Sequence, residues 1–194
     1  MEIGNAGVET ADSGMAEYKM AEYKMADMME IGLKLEREKK VAVESGGPED
    51  TFALGRGLGL AARPGTVYAL NGDLGTGKTV FTQGFAEGLG ISGPVNSPTF
   101  TVMQIYDEGR IPFYHFDVYR ITDIDEMEEI GYEDCFYGEG VCLVEWAGLI
   151  EEILPGRYVR VTIEKDLEKG FDYRRILLEE VRGTCAGGGG KEAK

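Results

Sequence analysis

The segment GDLGTGKT, from Gly72 to Thr79, constrains this chain more than any other part of its sequence. It fits the pattern G-x-x-x-x-G-K-[ST], which forms a phosphate-binding loop (P-loop) between a strand and a helix. The glycines allow a tight turn that points backbone N–H groups inward, the lysine reaches the β- and γ-phosphates, and the last hydroxyl is offered to Mg²⁺. The motif therefore predicts a site for ATP and Mg²⁺ inside an α/β domain.

The residues on both sides of the motif predict the strand and the helix that such a loop requires. Residues 66–71 are mostly apolar and predict a strand. Phe81, Phe85 and Leu89 fall at i, i+4 and i+8, which predicts the buried face of a helix that Gly90 can end. We expect the nucleotide to contact Gly72, Asp73, Leu74, Gly75, Thr76, Gly77, Lys78, Thr79 and Val80.

The remaining patterns predict strands and helices in mixed order. Strands are predicted at 39–44, at 141–144, in a hairpin of 100–106 with 111–118, and in a final pair of 157–164 with 173–181. Helices are predicted from Pro48 to about residue 62, along Ile121, Ile124, Met127 and Ile130, and along Ile150, Ile153 and Leu154. Glycines at 55, 57 and 59 make the first of these helices weak unless it packs closely against a neighbour. Together the patterns predict a three-layer P-loop NTPase-like domain whose mixed sheet contains antiparallel strands.

Length and composition predict one domain with two tails. Residues 1–35, which include the near-repeat MAEYK, read as a flexible extension, residues 36–182 as the P-loop ATPase domain, and residues 183–194 as a glycine-rich flexible tail. Because 35 acidic residues outnumber 20 basic ones, the net charge of −15 opposes direct binding of DNA or RNA, whose phosphates are held mainly by Lys and Arg. We therefore expect any RNA to be held by a partner.

Segment composition also predicts the compartment. The N-terminal residues lack the basic and apolar regions of a secretory signal, and no apolar run approaches the roughly 18 residues that cross a bilayer. The three cysteines, Cys135, Cys142 and Cys185, form no CxxC pair, which indicates structural or incidental thiols. We expect a reduced, cytoplasmic protein without membrane contact.

Two acids are placed to complete a magnesium site with the hydroxyl of Thr79. Glu145 ends the apolar run 141–144, and Asp117 ends the strand 111–116, so both are expected at the carboxyl edge of the sheet where ligands gather. One acid would contact the metal or its waters, while the other would orient the attacking water. The alternatives are a surface acid at Glu145 and an ion pair between Asp117 and Arg120.

Three further features have both a functional and an ordinary interpretation. His115, the single histidine, shares a strand face with Asp117 and is expected to be a core or supporting residue rather than a general base. The segment 96–99 (NSPT) is either an ordinary turn or a loop that contacts the γ-phosphate. Residues 123–139 contain eight acids and no base, which is typical of a solvated helix face and alternatively of a docking surface for a basic partner.

The motifs in their order resemble one family. GDLGTGKT, NSPTFTVMQIY, FYHFDVYRI, EEIGY and VCLVEWA are similar to TsaE, the ATPase of bacterial tRNA threonylcarbamoyladenosine biosynthesis, over roughly residues 39–180. The resemblance implies phosphate and Mg²⁺ roles for Lys78 and Thr79 and a switch-like role for Thr99. It further implies that Asp117 and Glu145 are the acids of metal binding and hydrolysis, and that Arg120 and Trp146 match the arginine and the aromatic residue of the same signatures.

The resemblance also implies partners, namely the transferase TsaD and its paralogue TsaB, with tRNA bound indirectly through their assembly. ATP hydrolysis, weak in the isolated chain, would drive or reset that assembly, which modifies adenosine 37. A nucleotide-gated binding module shares every motif and stays an open alternative. A small-molecule kinase is less favoured because residues 121–156 offer no basic residue for a lid, and a GTPase because no NKxD element occurs.

Overall fold

A computed structural model describes residues 31, 34–35 and 37–183 of the chain. The MAEYK repeats and the segment 184–194, with Cys185, lie outside the described residues, so the predicted extension and tail stay predictions. Two residues of the predicted extension contact the hydrophobic core: Leu35 is buried in the cluster that contains Phe81 and Phe85, and Ile31 packs against that cluster.

The secondary structure elements follow one another in this order: β1 (Lys40–Ser45), α1 (Pro48–Ala61), β2 (Thr66–Asn71), α2 (Lys78–Gly88), β3 (Met103–Tyr106), β4 (Phe113–Asp117), α3 (Asp125–Glu129), α4 (Tyr132–Phe136), β5 (Val141–Glu145), a 3₁₀ helix (Ala147–Ile153), β6 (Arg157–Lys165) and β7 (Arg174–Arg182).

The strands form one seven-stranded sheet in the order β1-β7-β6-β2-β5-β4-β3. The central strands β6, β2, β5 and β4 are parallel, whereas β7, β1 and β3 add to the two sides in antiparallel pairs. The P-loop strand β2 lies in the middle, with β5 on one side and β6 on the other. This arrangement confirms the predicted mixed sheet.

Two hydrophobic clusters cover the two faces of the sheet. On one face, α1 and α2 pack against the sheet through side chains that include Leu54, Phe81 and Phe85. On the other face, α3, α4 and the 3₁₀ helix contribute Met127, Phe136, Ile150 and their neighbours. The chain therefore has the helix–sheet–helix layers that the sequence predicts.

Helices α1 and α2 approach each other through glycines, two on each helix. A Cβ atom on Gly55 or Gly59 would lie 2.1 Å from the carbonyl oxygen of Phe81 or Phe85, respectively. On α2, a Cβ atom at Gly84 or Gly88 would lie 2.1 or 2.2 Å from a carbonyl oxygen of α1. The contact explains why α1 tolerates residues of poor helix propensity, as the sequence predicted.

The predicted hairpin exists, but its strands are shorter than expected. Residues 100–102 belong to a turn, because Thr101 and Val102 donate backbone N–H groups to the carbonyl oxygen of Pro98 and Val102 has a φ of 64°. The connection spans 107–112 rather than 107–110. The turn brings Ser97 and Thr99 back to Asp117, which a strand beginning at residue 100 would prevent.

Two predicted helices are also shorter or tighter than their apolar spacing suggested. The region 121–130 forms only the helix α3, because Glu126 accepts backbone N–H groups from Thr122 and Asp123 and so fixes where the helix begins. The segment after β5 is a 3₁₀ helix with a kink at Ile150. All eight acids of 123–139 are exposed, as the solvated-face interpretation expects.

Candidate nucleotide-binding site

The P-loop connects the carboxyl end of β2 to α2 at the centre of the sheet. Gly72, Gly75 and Gly77 have φ angles of 152°, 71° and 101°, which L side chains rarely adopt. A Cβ on Gly72 would lie 2.6 Å from the carbonyl oxygen of Ile163 and 2.7 Å from Thr76 Oγ1, so only glycine fits there. The loop therefore has the tight backbone course that a phosphate cradle needs.

Lys78 is 6% exposed, and its ammonium group lies inside the loop. Nζ donates to the carbonyl oxygens of Gly72 and Asp73, at 2.8 and 3.0 Å, and lies 3.8 Å from the centroid of the Trp146 ring. Burial lowers the pKa of Lys78 below its usual value, while the charges of Glu145 and Asp117 oppose that shift. Among the residues that the structure describes, no carboxylate is in direct contact with this ammonium, so a phosphate group would supply an anionic partner.

Two basic residues of the β6–β7 hairpin hold the outer side of the P-loop. Lys165 Nζ donates to the carbonyl oxygen of Leu74 at 3.0 Å, and Arg174 Nε donates to that of Thr76 at 2.8 Å. In a trans peptide the N–H group points opposite to the C=O group. Holding these carbonyls outward therefore turns the N–H groups of Gly75 and Gly77 toward the inside of the loop.

Glu145 is the last residue of β5, and it is 2% exposed. Its Oε1 accepts from His115 Nε2 at 2.9 Å and lies 3.2 Å from the hydroxyl of Thr82, which also lies 3.0 Å from the carbonyl oxygen of Lys78. The carboxylate is thus tied to both β4 and α2. The surface-acid interpretation of Glu145 is wrong.

His115 is fully buried, and its ring stacks on Phe113 at 5.8 Å between centroids. Nδ1 has no hydrogen-bond partner among the residues that the structure describes. A neutral ring with its proton on Nε2 donates to Glu145 and leaves no buried donor unpaired. The contact agrees with the core or supporting position that the sequence suggested, and the partner of the ring is Glu145 on β5.

Asp117 is adjacent to Glu145 across the β4–β5 pair and is 3% exposed. Its Oδ2 accepts from Ser97 and from Thr99, the latter at 2.7 Å, and its Oδ1 accepts the backbone N–H of Tyr119 at 3.1 Å. Arg120 instead lies over the ring of Phe100, 4.5 Å from the centroid. The loop 96–99 therefore contacts a site acid directly, and the alternative of an Asp117–Arg120 ion pair is wrong.

Trp146 follows Glu145 and has a φ of 63°, which is uncommon for a bulky residue. Its backbone N–H donates to the carbonyl oxygen of Leu70 at 2.9 Å, and its ring lies 4.9 Å from that of Tyr119. The next loop is fixed by Gly148, whose N–H donates to Asn71 Oδ1 at 2.8 Å. These contacts hold the indole over the ammonium of Lys78.

Thr79 and Val80 are half-buried in the first turn of α2, and Leu74 is 83% exposed at the tip of the loop. No three His, Cys, Asp or Glu side chains converge on a metal position in the part of the chain that the structure describes. The oxygen donors in and near the loop include the Thr79 hydroxyl and the buried carboxylates of Glu145 and Asp117. Such hard donors suit Mg²⁺, which commonly takes one or two carboxylates and shares the rest of its shell with phosphates and water.

The structure brings the sequence-predicted residues of four segments together: the P-loop, the loop 96–99, and the ends of β4 and β5. Sequence reasoning missed Thr82, Lys165 and Arg174. Thr82 carried a weak signal, because it lies one helical turn after Lys78. Lys165 and Arg174 are neighbours only through the β6–β7 register.

Two other features lie apart from this site. A cavity of about 540 Å³ is lined by Phe52, Gln83, Glu87 and residues 90–95, none of which the sequence assigned to the nucleotide. Cys135 and Cys142 are free and buried, and burial raises the pKa of both thiols. That environment suits the structural role predicted for them.

A central strand that leads through a glycine loop into a helix, beside two strand-end carboxylates, defines a P-loop NTPase-like α/β domain. Among the described residues, no helix is both long and apolar enough to cross a membrane.

The family model described as "Threonylcarbamoyl adenosine biosynthesis protein TsaE" matches residues 45–176, and the chain belongs to the TsaE family. The tRNA threonylcarbamoyladenosine biosynthesis protein TsaE of Bacillus subtilis is 51% identical over 134 residues, which cover 69% of this chain and 82% of the relative. That of Treponema pallidum is 40% identical over 115 residues, or 59% and 84% of the two chains. A crystal structure of Bacillus subtilis YdiB superposes with a TM-score of 0.62 at 43% identity, covering 74% of this chain and 86% of that one.

Proposed function

We propose that this chain binds ATP with Mg²⁺ at the P-loop and hydrolyses it, as the ATPase of the assembly that makes threonylcarbamoyladenosine at position 37 of tRNA. One observation carries the proposal: two buried carboxylates, Asp117 and Glu145, lie side by side on β4 and β5 next to the loop that holds Lys78. Burying two acids without a cation is costly, so their pairing beside a phosphate loop is best explained by a metal-bound phosphate.

The phosphates would be held by the inward N–H groups of the P-loop and by Lys78. The ammonium already lies in the loop, bonded to the carbonyl oxygens of Gly72 and Asp73, so it need only exchange these neutral partners for charged phosphate oxygens. The amino end of α2 adds unpaired N–H groups and a favourable helix dipole. Binding of the nucleotide therefore depends on Lys78 more than on either acid.

Mg²⁺ would be held by the hydroxyl of Thr79 together with Asp117 or Glu145. When bound, the metal neutralises charge on the phosphate oxygens. Glu145, fixed by His115 and Thr82, is oriented to accept a proton from water or to align it, whereas Asp117 is engaged by the loop 96–99. We assign hydrolysis to Glu145, and a shared role in metal binding and loop position to Asp117 and Thr99.

The assignment to the pathway rests on membership of the TsaE family, whose relatives are named for tRNA threonylcarbamoyladenosine biosynthesis. We propose that the chain acts in the cytoplasm with the transferase TsaD and its paralogue TsaB, and that these partners hold the tRNA. The net charge of −15 supports binding of the tRNA by the partners, because an acidic chain repels the tRNA backbone.

Two variants and a control test the site. Lys78→Ala should abolish ATP binding, because it removes the cation inside the loop, while Glu145→Gln should retain binding and lose hydrolysis. Glu152→Gln changes an exposed acid seven residues further on and should match the wild type in both. Binding is measured by calorimetry and hydrolysis by phosphate release, with the partners present. Hydrolysis by Glu145→Gln at the wild-type rate would remove that residue from the chemistry.

The pathway is tested by reconstituting tRNA modification with TsaD, TsaB and this chain, and by measuring adenosine 37 with mass spectrometry. Sustained product over many turnovers without this chain would refute its place in the assembly. The Glu145→Gln variant distinguishes an ATPase that must hydrolyse ATP from a binding module that needs only to hold it. Full product formation with that variant would show that ATP occupancy suffices and that the chain is a nucleotide-gated binding module.

A further inference from the structure

The turn between β6 and β7, residues 166–173, is joined to the outer side of the P-loop at both of its ends. Arg174 donates through Nη1 to the carbonyl oxygen of Phe171 at 2.8 Å and through Nε to that of Thr76 at 2.8 Å. At the other end, Lys165 donates to the carbonyl oxygen of Leu74 at 3.0 Å. One guanidinium group and one ammonium group thus keep the turn beside the loop.

The turn is also fixed on its far side. Lys169 Nζ bonds to Glu44 Oε1 on β1 at 2.8 Å and to the hydroxyl of Tyr173 at 2.9 Å. The backbone N–H groups of Lys169 and Gly170 both donate to the carbonyl oxygen of Asp166, at 3.2 Å. A turn with this many internal and external bonds presents its outward side chains in a defined place.

Two of the exposed side chains of the turn are apolar, and they alternate with the exposed charged residues Glu168, Lys169 and Asp172. Phe171 is 82% exposed and Leu167 is 70% exposed, and the adjoining tip of the P-loop adds Leu74 at 83%. We name these three residues the apolar rim. Single exposed apolar residues are common, but three on segments that are bonded to one another beside a ligand loop indicate a surface for an apolar group.

The sheet order determines which part of a nucleotide would reach the rim. Both acids, Glu145 and Asp117, lie on β5 and β4, on one side of β2, whereas β6 and its turn lie on the other side. A triphosphate whose terminal phosphate faces Lys78 and Glu145 must extend its nucleoside away from the acids. Across the carboxyl edge of the sheet, that direction leads to the β6–β7 turn.

We propose that the apolar rim is the base subsite of the nucleotide, with the ring of Phe171 stacking on the purine and Leu74 and Leu167 covering its edges. The proposal rests on ATP binding at the P-loop, as proposed above. Every nucleobase has a flat π-face, so an exposed aromatic ring on a fixed turn adds affinity without any hydrogen bond to the base.

The experiment compares two ligands on the full chain by calorimetry: ATP with Mg²⁺, and inorganic triphosphate with Mg²⁺, which has no base. Phe171→Ala should weaken ATP binding by about 5- to 150-fold, which is the range for losing one base–aromatic stack, and should leave triphosphate binding unchanged. Phe171→Trp should restore ATP affinity. Tyr137→Ala, which removes an exposed aromatic ring four residues before β5 begins, should change neither affinity.

Each other outcome contradicts one specific claim. Unchanged ATP affinity in Phe171→Ala would refute the base subsite, as would an equal loss for ATP and triphosphate, because the ring would then only support the loop. If the wild type binds neither ligand, or Lys78→Ala binds both as the wild type does, the P-loop proposal itself fails.

Discussion

Replacing Gly59 by alanine tests whether the glycine contact between α1 and α2 fixes the position of the P-loop helix. On helix propensity alone, the change should stabilise α1 by about 0.5–1 kcal/mol. The new Cβ, however, would lie 2.1 Å from the carbonyl oxygen of Phe85, 2.9 Å from its carbonyl carbon and 3.1 Å from Gly88 Cα. All three are backbone atoms, so no side-chain rotation can relieve the contact.

The two helices must therefore separate by about 0.9 Å to reach the shortest contact that real Cβ atoms show, 3.0 Å. Overpacking of this kind typically costs about 1–3 kcal/mol, and a contact this short belongs at the upper end. Subtracting the gain in propensity leaves a net loss of about 2 kcal/mol. For a chain of this size, that loss corresponds to a melting temperature lower by about 4–8 °C.

The assay is urea unfolding of the full chain followed by circular dichroism. Gly156→Ala is the matched control, because no heavy atom beyond its chain neighbours lies within 4 Å of the added Cβ, and it should stay within about 0.5 kcal/mol of the wild type. Since α2 begins at Lys78, the Gly59 variant should also bind ATP more weakly while still folded. Stability of Gly59→Ala equal to or above that of the wild type would refute the steric reasoning.

Three further predictions concern the site. His115→Ala should lower the free energy of unfolding, measured by chemical denaturation, by about 1–3 kcal/mol, because it leaves the buried carboxylate of Glu145 without its nearest donor. His115→Gln can still donate a hydrogen bond and should recover part of that loss. Arg174→Met should weaken both ATP and inorganic triphosphate in calorimetry, because it frees a P-loop carbonyl, and ATP by the larger factor, because it also frees the turn that carries Phe171; unchanged triphosphate affinity would contradict this. Trp146 is the only tryptophan, so displacement of the Lys78 ammonium from its ring by phosphate should change its fluorescence during ATP titration, and no change at ATP concentrations that saturate calorimetry would contradict the contact.

The parts of the fold that sequence could predict are those with local causes. The P-loop motif, the apolar strand before it and the spacing of Phe81, Phe85 and Leu89 together predict β2 and α2, because each signal lies within a few turns of chain. The glycines of α1 predicted close packing for the same reason. The predicted start of the first hairpin strand, at residue 100, was wrong because Val102 adopts a left-handed conformation, which no local propensity favours for a β-branched residue.

The parts of the site that sequence could not predict depend on distant pairing. Lys165 and Arg174 are ordinary basic residues until the β6–β7 register places them together at the P-loop. Likewise, strand alternation placed His115 on the face of Asp117, but only the β4–β5 pairing shows that its ring reaches Glu145. Strand-end position and the resemblance both predicted Asp117 and Glu145 as the acids of the site, while their hydrogen-bond partners depend on the pairing of distant strands.

The carboxylate of Asp117 accepts hydrogen bonds from the loop 96–99 and, in our proposal, also binds the metal. Because Oδ2 accepts the hydroxyls of both Ser97 and Thr99, a divalent cation that takes this oxygen must compete with the loop for the same lone pairs. By thermodynamic reciprocity, whatever stabilises the loop in its present place weakens cation binding by the same factor, and whatever draws Thr99 elsewhere strengthens it. A partner that only repositions this loop would thereby set the magnesium affinity of the site without touching the nucleotide.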